Sequence, residues 1–173
     1  MAYSLKTDKI RLRAIEREDL DTLYLLENDM SEAGSAVTNQ PVSRMMLWNY
    51  IENYSADIAA DGQLRLMIED AGGNTVGAVD ISDYDPFNRR GFVGISILPS
   101  CRRRGYAADA LALLCDYAAN TLGMHQLAAI VDVDNEPSRS LFVSAGFKSC
   151  GRLRSWLRRG KTYSDAQIYQ KLF

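Results

Sequence analysis

Residues 98–111 read Leu98-Pro99-Ser100-Cys101-Arg102-Arg103-Arg104-Gly105-Tyr106-Ala107-Ala108-Asp109-Ala110-Leu111. Before them, residues 91–98 alternate as a strand that Pro99 stops. After them, Ala107, Leu111, Leu114, Ala118 and Leu122 recur at spacings of three and four, the apolar stripe of a helix that Gly123 closes. Three arginines and a glycine therefore join a strand end to a helix start. The first N–H groups of a helix lack intrahelical acceptors, and the helix dipole adds positive potential there, so such a junction attracts anions. Gly105 lets a ligand approach the backbone, Ala107 is small for the same reason, and the arginines add charge-assisted donors. The pattern reads as a pyrophosphate cradle, distinct from both G-x-x-x-x-G-K-(S/T) and G-x-G-x-x-G.

Working outward, the spacing predicts a strand over 10–14 and a helix over 16–27 with Leu20, Leu23, Tyr24 and Leu26 on one face. Residues 28–42 are polar and irregular. Ser43 caps a second helix carrying Met46, Leu47, Tyr50, Ile51 and Tyr54, which Asp61-Gly62 ends. Strands over 64–69 and 75–83 flank the turn Asp70-Ala71-Gly72-Gly73-Asn74. Residues 127–133 form an apolar strand expected to be buried on both faces. Residues 137–145 form a short helix with Asn135 or Glu136 at its start and Gly146 at its end. Residues 148–156 and 162–172 make a closing hairpin around Arg158-Arg159-Gly160-Lys161. The order is β-α-α-β-β-β-α-β-α-β-β, an α/β chain. The three-strand meander implies antiparallel pairing and the 91–133 unit a parallel crossover, so the sheet is mixed and has helices on both faces.

The 173 residues fit one domain, 1–173. A net charge of −2 from 20 basic and 22 acidic residues argues against a nucleic-acid partner, although arginines cluster at 102–104 and again at Arg152, Arg154, Arg158 and Arg159. Cys101, Cys115 and Cys150 are odd in number and lack metal-ligand spacing, so free thiols, no metal and a cytoplasmic setting are expected. The start, MAYSLKTDKI, has no apolar leader core, and no apolar run approaches the ~20 residues of a membrane span, so no membrane partner is expected. His125, between a helix end and a strand, reads as structural, and Cys101 as a surface thiol.

Arg102-x-x-Gly105-x-Ala107 after a strand resembles the (Q/R)-x-x-G-x-(G/A) signature of the GNAT superfamily of acyl-CoA N-acyltransferases. Asn135-Glu136-Pro137-Ser138-Arg139-Ser140-Leu141-Phe142-Val143-Ser144-Ala145-Gly146-Phe147 resembles the same family's N-x-x-(A/S)-x-x-(L/F)-(Y/F)-x-x-x-G-F block. The resemblance spans nearly the whole chain, and is greatest to spermidine/diamine N-acetyltransferases and ribosomal-protein N-terminal acetyltransferases. It implies the GNAT fold, with acetyl-CoA as acyl donor. It implies that the strand before the loop splays from the next parallel strand, and that the pantetheine arm bonds along Ile95, Ser96 and Ile97. Arg102, Arg103, Arg104, Gly105, Tyr106, Ala107 and Ala108 are then expected to take the pyrophosphate, and Asn135, Ser138 and Phe142 to line the thioester end.

The implied reaction is acetyl transfer to a primary amine, a polyamine or other small amine first and a peptide N-terminus as the alternative. Self-association is left open. The chemistry needs a base for the amine, polarisation of the thioester carbonyl and departure of a thiolate. The chain departs from many relatives at two places. Phe142 stands where a tyrosine serves as general acid, and Phe92 where a glutamate is common. A third reading, a non-catalytic acyl-CoA-binding module, rests on those two phenylalanines. Substitute candidates are Asp80, Asp83, Tyr106, Tyr163 and Tyr169. Carboxylates for a polycation are Glu27, Asp29, Glu32, Asp80, Asp83 and Asp85. The family's acidic pair before a proline is replaced by Asn39 and Gln40 before Pro41.

Overall fold

The computed structural model describes residues 5–29 and 40–173; Glu32 and Asn39 lie outside them. Strand β1 (Ile10–Arg13) leads through a 3-10 turn (Arg17–Asp19) into helix α1 (Leu20–Glu27). Then come α2 (Arg44–Asn53), a short α3 (Ile58–Asp61), β2 (Leu64–Asp70), β3 (Thr75–Asp85) and β4 (Arg90–Ile97). After a second 3-10 turn, α4 (Tyr106–Asn120), β5 (Gln126–Asp132), α5 (Glu136–Ser144), β6 (Lys148–Arg159) and β7 (Thr162–Leu172) complete the chain. The strands form one seven-stranded sheet in the order β1-β2-β3-β4-β5-β7-β6. Every neighbouring pair is antiparallel except β4 with β5, whose crossover is α4.

Alternation along the strands sorts side chains into two layers. Leu64, Leu66, Ile68, Val79, Ile81 and Val93 face one side, where Ala110, Leu111, Leu114, Cys115 and Ala118 of α4 and Phe142 of α5 close the larger core. Met67 and Ala78 face the other side and pack with Leu23 of α1 and Leu47 of α2. Leu111, Leu114 and Ala118 of the expected stripe are buried here, joined by Ala110 and Cys115, while Ala107 is only partly buried and Leu122 lies past the helix end at Asn120. Ser43 caps α2 by accepting from the Met46 N–H, as expected. That helix ends at Asn53 rather than near 61, because Asp57 starts the separate turn α3 by accepting from the Ala59 and Ala60 N–H groups. Strand β5 differs from expectation. Leu127, Ala129 and Val131 are buried, but Ile130 is 40 % exposed. Helices α1 and α2 pack over β2 and β3 and leave that side of β5 open.

One polar network ties β1 to the start of α1. Arg13 donates to both oxygens of Asp19 at 2.7 and 2.8 Å, to Glu69 Oε2 at 2.6 Å and to Thr75 Oγ1 at 2.8 Å. Asp19, only 2 % exposed, also accepts from the Glu16 N–H. Burial alone would raise its carboxyl, but the bonds from Arg13 and Glu16 outweigh that and hold it below the usual carboxylate range. Its stabilising contribution is thus present above the unfolded carboxylate pKa near 4 and is lost as pH falls through the lower folded value. Asp19→Ala leaves Arg13 half-buried with one partner fewer and is expected to cost about 3–5 kcal/mol in urea denaturation at pH 7. The gap to wild type should narrow below pH 4; an unchanged gap there would contradict this account.

Candidate functional site

The parallel pairing of β4 with β5 spans only Arg90, Gly91 and Phe92 against Gln126, Leu127 and Ala128. Beyond it β4 stays with β3, Ile95 opposite Val79 and Ile97 opposite Gly77, while β5 stays with β7 as far as Asp132 opposite Ala166. The sheet therefore splits in a V between residues 93–97 and 129–132. Along this edge the backbone of β4 has no strand on its outer side, and short of the Ile97 carbonyl, which accepts from Arg102, its donors and acceptors face a gap that an extended amide-bearing chain can complete. Val93, Ile95 and Ile97 turn toward the α4 core. By alternation, Phe92, Gly94 and Ser96 turn to the opposite face, with Phe92 38 % exposed.

At the end of that edge, α4 starts from Gly105 in a left-handed conformation, φ 80°. No side chain caps it, and the first intrahelical bond runs from Asp109 N–H to Gly105 O at 3.3 Å. The N–H groups of Tyr106, Ala107 and Ala108 are consequently left for an anion. Arg103, two residues earlier, also has positive φ, 61°. Such strain in a non-glycine residue recurs at ligand-binding turns. The arginines divide the work differently from the sequence expectation. Arg102 turns back: its Nε donates to Ile97 O at 3.1 Å and its guanidinium pairs with Asp29. Arg104 donates to Ser100 O at 3.2 Å, and Arg103 is exposed. A lysine not singled out in the sequence joins them. Lys9 Nζ lies 3.7 Å from Asp109 and so close to Gly105 that a Cβ there would come within 2.7 Å of it. Bare helix N–H groups, a lysine and an exposed arginine fit a diphosphate.

The α5 side is less open. Asn135 Oδ1 accepts from Ser138 N–H at 3.1 Å, so this asparagine caps the helix. Phe142 is buried at 3 % exposure, edge-on to Phe147 at 5.1 Å and stacked on Tyr169 at 6.4 Å. Its ring belongs to the core. The Tyr169 hydroxyl accepts from Arg139 Nε at 3.4 Å, and Arg139 also donates to Val133 O at 3.0 Å.

The carboxylates come together only in part. Arg65, Asp80 and Gly94 are register partners across β2, β3 and β4. The Asp80 carboxylate lies over Gly94, where a Cβ would meet Asp80 Oδ2 at 2.9 Å. It thus sits two residues past the last β4–β5 pair. Arg65 donates to Glu27 Oε1 at 2.6 Å and stands 3.6 Å from Asp80 Oδ1. Burial raises the Asp80 carboxyl above its ordinary range; Arg65 opposes this and Glu27 adds to it. Tyr50 and Tyr54 complete the wall. The Tyr50 ring carries the Arg65 guanidinium at 5.6 Å, and the Tyr54 hydroxyl accepts from Arg65 N–H at 2.6 Å. The Tyr50 hydroxyl is buried with no hydrogen-bond partner among the described residues. Asp83 is exposed, at φ 48°, where the β3–β4 register shifts. Asp85 is engaged by Phe87 N–H, Asn88 and Arg90. Asp29 is held by Arg102.

His125 is exposed, and its backbone bonds to Arg89 and Phe173. The three cysteines are free; burial pushes the Cys115 thiol up to about 11. Among the described residues no His/Cys/Asp/Glu group is arranged for a metal, and no helix is long and apolar enough to cross a membrane. Chemically, the arrangement offers an anion cradle, an open strand edge and a carboxylate of raised proton affinity at one end of one cleft.

Known proteins resemble this chain in sequence and fold. Residues 9–148 match the family model described as the acetyltransferase (GNAT) domain. A Bacillus subtilis protein named the uncharacterized N-acetyltransferase YoaA is 25% identical over 95% of this chain and 94% of its own. The spermidine N(1)-acetyltransferase of Escherichia coli K12 is 27% identical over 83% of this chain and 75% of its own. Among solved structures, the spermidine N-acetyltransferase of Vibrio cholerae in complex with CoA and spermine superposes with a TM-score of 0.85, at 26% identity, covering 96% of both chains. A dodecameric structure of the Vibrio cholerae enzyme superposes at a TM-score of 0.79 and 25% identity.

Proposed function

The chain belongs to the GNAT acetyltransferase family, and from that premise we propose that it moves the acetyl group of acetyl-CoA to a primary amine of a polyamine or similar small amine. The observation that carries the acceptor side of this reading is the Asp80 carboxylate, seated over Gly94 where β4 leaves β5. The Escherichia coli and Vibrio cholerae relatives support the polyamine class. Three free cysteines agree with a cytoplasmic setting. The dodecameric relative supports a homo-oligomer.

In this reading, the N–H groups of Tyr106–Ala108, with Lys9 and Arg103 beside them, take the pyrophosphate of acetyl-CoA. The free edge at Ile95–Ile97 pairs with the pantetheine amides as a strand would. The acetyl group then reaches the split near Gly94. Asp80 takes one proton from the acceptor ammonium, and the freed amine attacks the thioester carbonyl carbon. As the N–C bond forms, the C–S bond breaks, and the second proton leaves the nitrogen for the thiolate. Phe142 has no proton to give, but a thiol with a pKa of roughly 8.5 is a fair leaving group without help. Holding amine and thioester side by side supplies much of the remaining rate.

Thiol release from acetyl-CoA, followed against a panel of diamines, polyamines and peptides, tests the reading. Turnover on spermidine or a diamine is the expected outcome. Peptide-only turnover overturns the acceptor class, and binding of acetyl-CoA with no turnover overturns the enzyme. Gly105→Asp puts a carboxylate at the helix N-terminus and a Cβ against Lys9. It is expected to weaken acetyl-CoA at least tenfold, about 1.4 kcal/mol, by calorimetry.

Asp80→Asn is expected to lower kcat by roughly 100-fold or more. Because the folded pKa is raised, ionised Asp80 costs stability at neutral pH, a penalty that disappears as pH falls through that pKa. The same variant should therefore melt no lower than wild type at pH 7–8. A large loss of Tm with retained activity would reverse the assignment.

A further inference from the structure

The side chains around Asp80 are more elaborate than a base requires. Arg65 crosses it with one guanidinium N–H on Glu27 at 2.6 Å and another 3.6 Å from Asp80. Its plane rests on Tyr50, its backbone N–H is held by the Tyr54 hydroxyl, and its Nε is buried without a hydrogen-bond partner among the described residues. A guanidinium held among Glu27, Asp80 and the Tyr50 ring cannot follow a substrate around. Its effect is on the carboxylates it touches. Glu27, from the last turn of α1, draws the guanidinium toward itself, which limits how fully Arg65 engages Asp80. Gly94 supplies the third element. The missing side chain is the space that Asp80 Oδ2 occupies, so the carboxylate is confined between Arg65 and the β4 backbone.

We propose that Arg65, balanced between Glu27 and Asp80, is a positioning residue that aims the Asp80 carboxylate across Gly94 at the acceptor nitrogen. The inference rests on Asp80 being the base. Among the described residues the charged and titratable groups facing Asp80 are Arg65 from β2, Glu27 from α1, Tyr50 from α2 and Tyr54 just past its end; β4 contributes Phe92, Gly94 and Ser96 on that face. With one cation and one further anion near the carboxylate, the two neighbours push its protonation in opposite directions. Arg65 favours the ionised form and Glu27 disfavours it. The pair therefore sets both where the base points and the pH at which it is ready.

This yields opposite signs in one experiment. The acid limb of the pH profile of kcat/KM, measured with acetyl-CoA saturating and a diamine as acceptor, reports the base. Arg65→Gln should move that limb to higher pH by about one unit, the shift usual for losing a cation at this distance. Glu27→Gln should move it to lower pH, because it removes the repelling anion and releases the guanidinium to Asp80. Arg65→Lys keeps the charge but not the fork, so the limb should stay near wild type while kcat falls. Gly94→Ala, which displaces the carboxylate with no change of charge, should lower kcat about tenfold to 100-fold with the affinity for acetyl-CoA retained.

Two failures are separable. If Asp80→Asn retains kcat and the acid limb, the base assignment itself is wrong. If Asp80→Asn abolishes activity while Arg65→Gln and Glu27→Gln leave the limb in place, or move it the same way, the base stands and the positioning role is overturned. Thermal melts of each variant guard against misfolding. The Glu27→Gln arm also tests the proposal on its own should Arg65→Gln fail to fold, since Glu27 is partly exposed and caps no element.

Discussion

Three residues of parallel pairing between β4 and β5 hold the two halves of the sheet together, and the rest of the molecule depends on where that pairing stops. Had it continued in register, the outer edge of β4 from Val93 to Ser96 would be consumed by Ala129–Asp132. Each strand has a stronger claim elsewhere: β4 keeps its antiparallel ladder to β3 through Ile97, and β5 keeps seven residues of ladder to β7. Arg102 reinforces the division by donating to the Ile97 carbonyl and pairing with Asp29 beyond α1. The splayed end of β4 is thus anchored from the acceptor side as well as from β3.

The two layers are unequal in what they must do. The α4 side is a continuous apolar core, able to hold the sheet rigid while its edge stays open. The α1–α2 side has a small apolar cluster, and beyond Met67 and Ala78 it turns polar at Arg65 and Asp80. Burying these charges is costly unless they are paired, and here each has a partner. A site of raised proton affinity is tolerated because the opposite face carries the stability. The buried Asp19–Arg13 pair, whose carboxyl is lowered rather than raised, shows the contrasting structural use of the same residue types.

The periodic elements were legible in the sequence because their signals are local. Most of the α4 stripe and the Ser43 cap needed nothing beyond spacing, and the two motif blocks were legible through their resemblance to a family's signatures. The short α3 was also readable in principle, with Asp57 as cap and Gly62 left-handed behind it. The Arg65–Asp80 cluster was not. Its pairing of Arg65 with Asp80 depends on an irregularity next to Ile68. Glu69 stands opposite Thr75, but Ile68 stands opposite Gly77, so Val76 is the extra residue. Without that bulge Arg65 would stand opposite Val79, because a one-residue slip exchanges the faces of a strand. Lys9 reaches Gly105 across a similarly non-local contact. The side-chain tie of Arg102 to Asp29 spans 73 residues of sequence and was equally hidden from local pattern.

Phe142 illustrates how packing and chemistry constrain one another. Its ring lies between Phe147 and Tyr169 in a site only 3 % exposed, where a tyrosine hydroxyl would have to find a partner. An apolar ring satisfies the core and removes a proton donor from the thioester end. The proposed reaction tolerates that loss unevenly. A thiolate is a weak base and departs without assistance, whereas an ammonium of pKa near 10 must lose a proton before it can attack at all. The demanding step is therefore at the acceptor, and there the fold invests in proton affinity. Burial lifts the Asp80 carboxyl toward the amine and narrows the gap the proton must cross. Arg65 opposes that lift from the other side of the carboxylate.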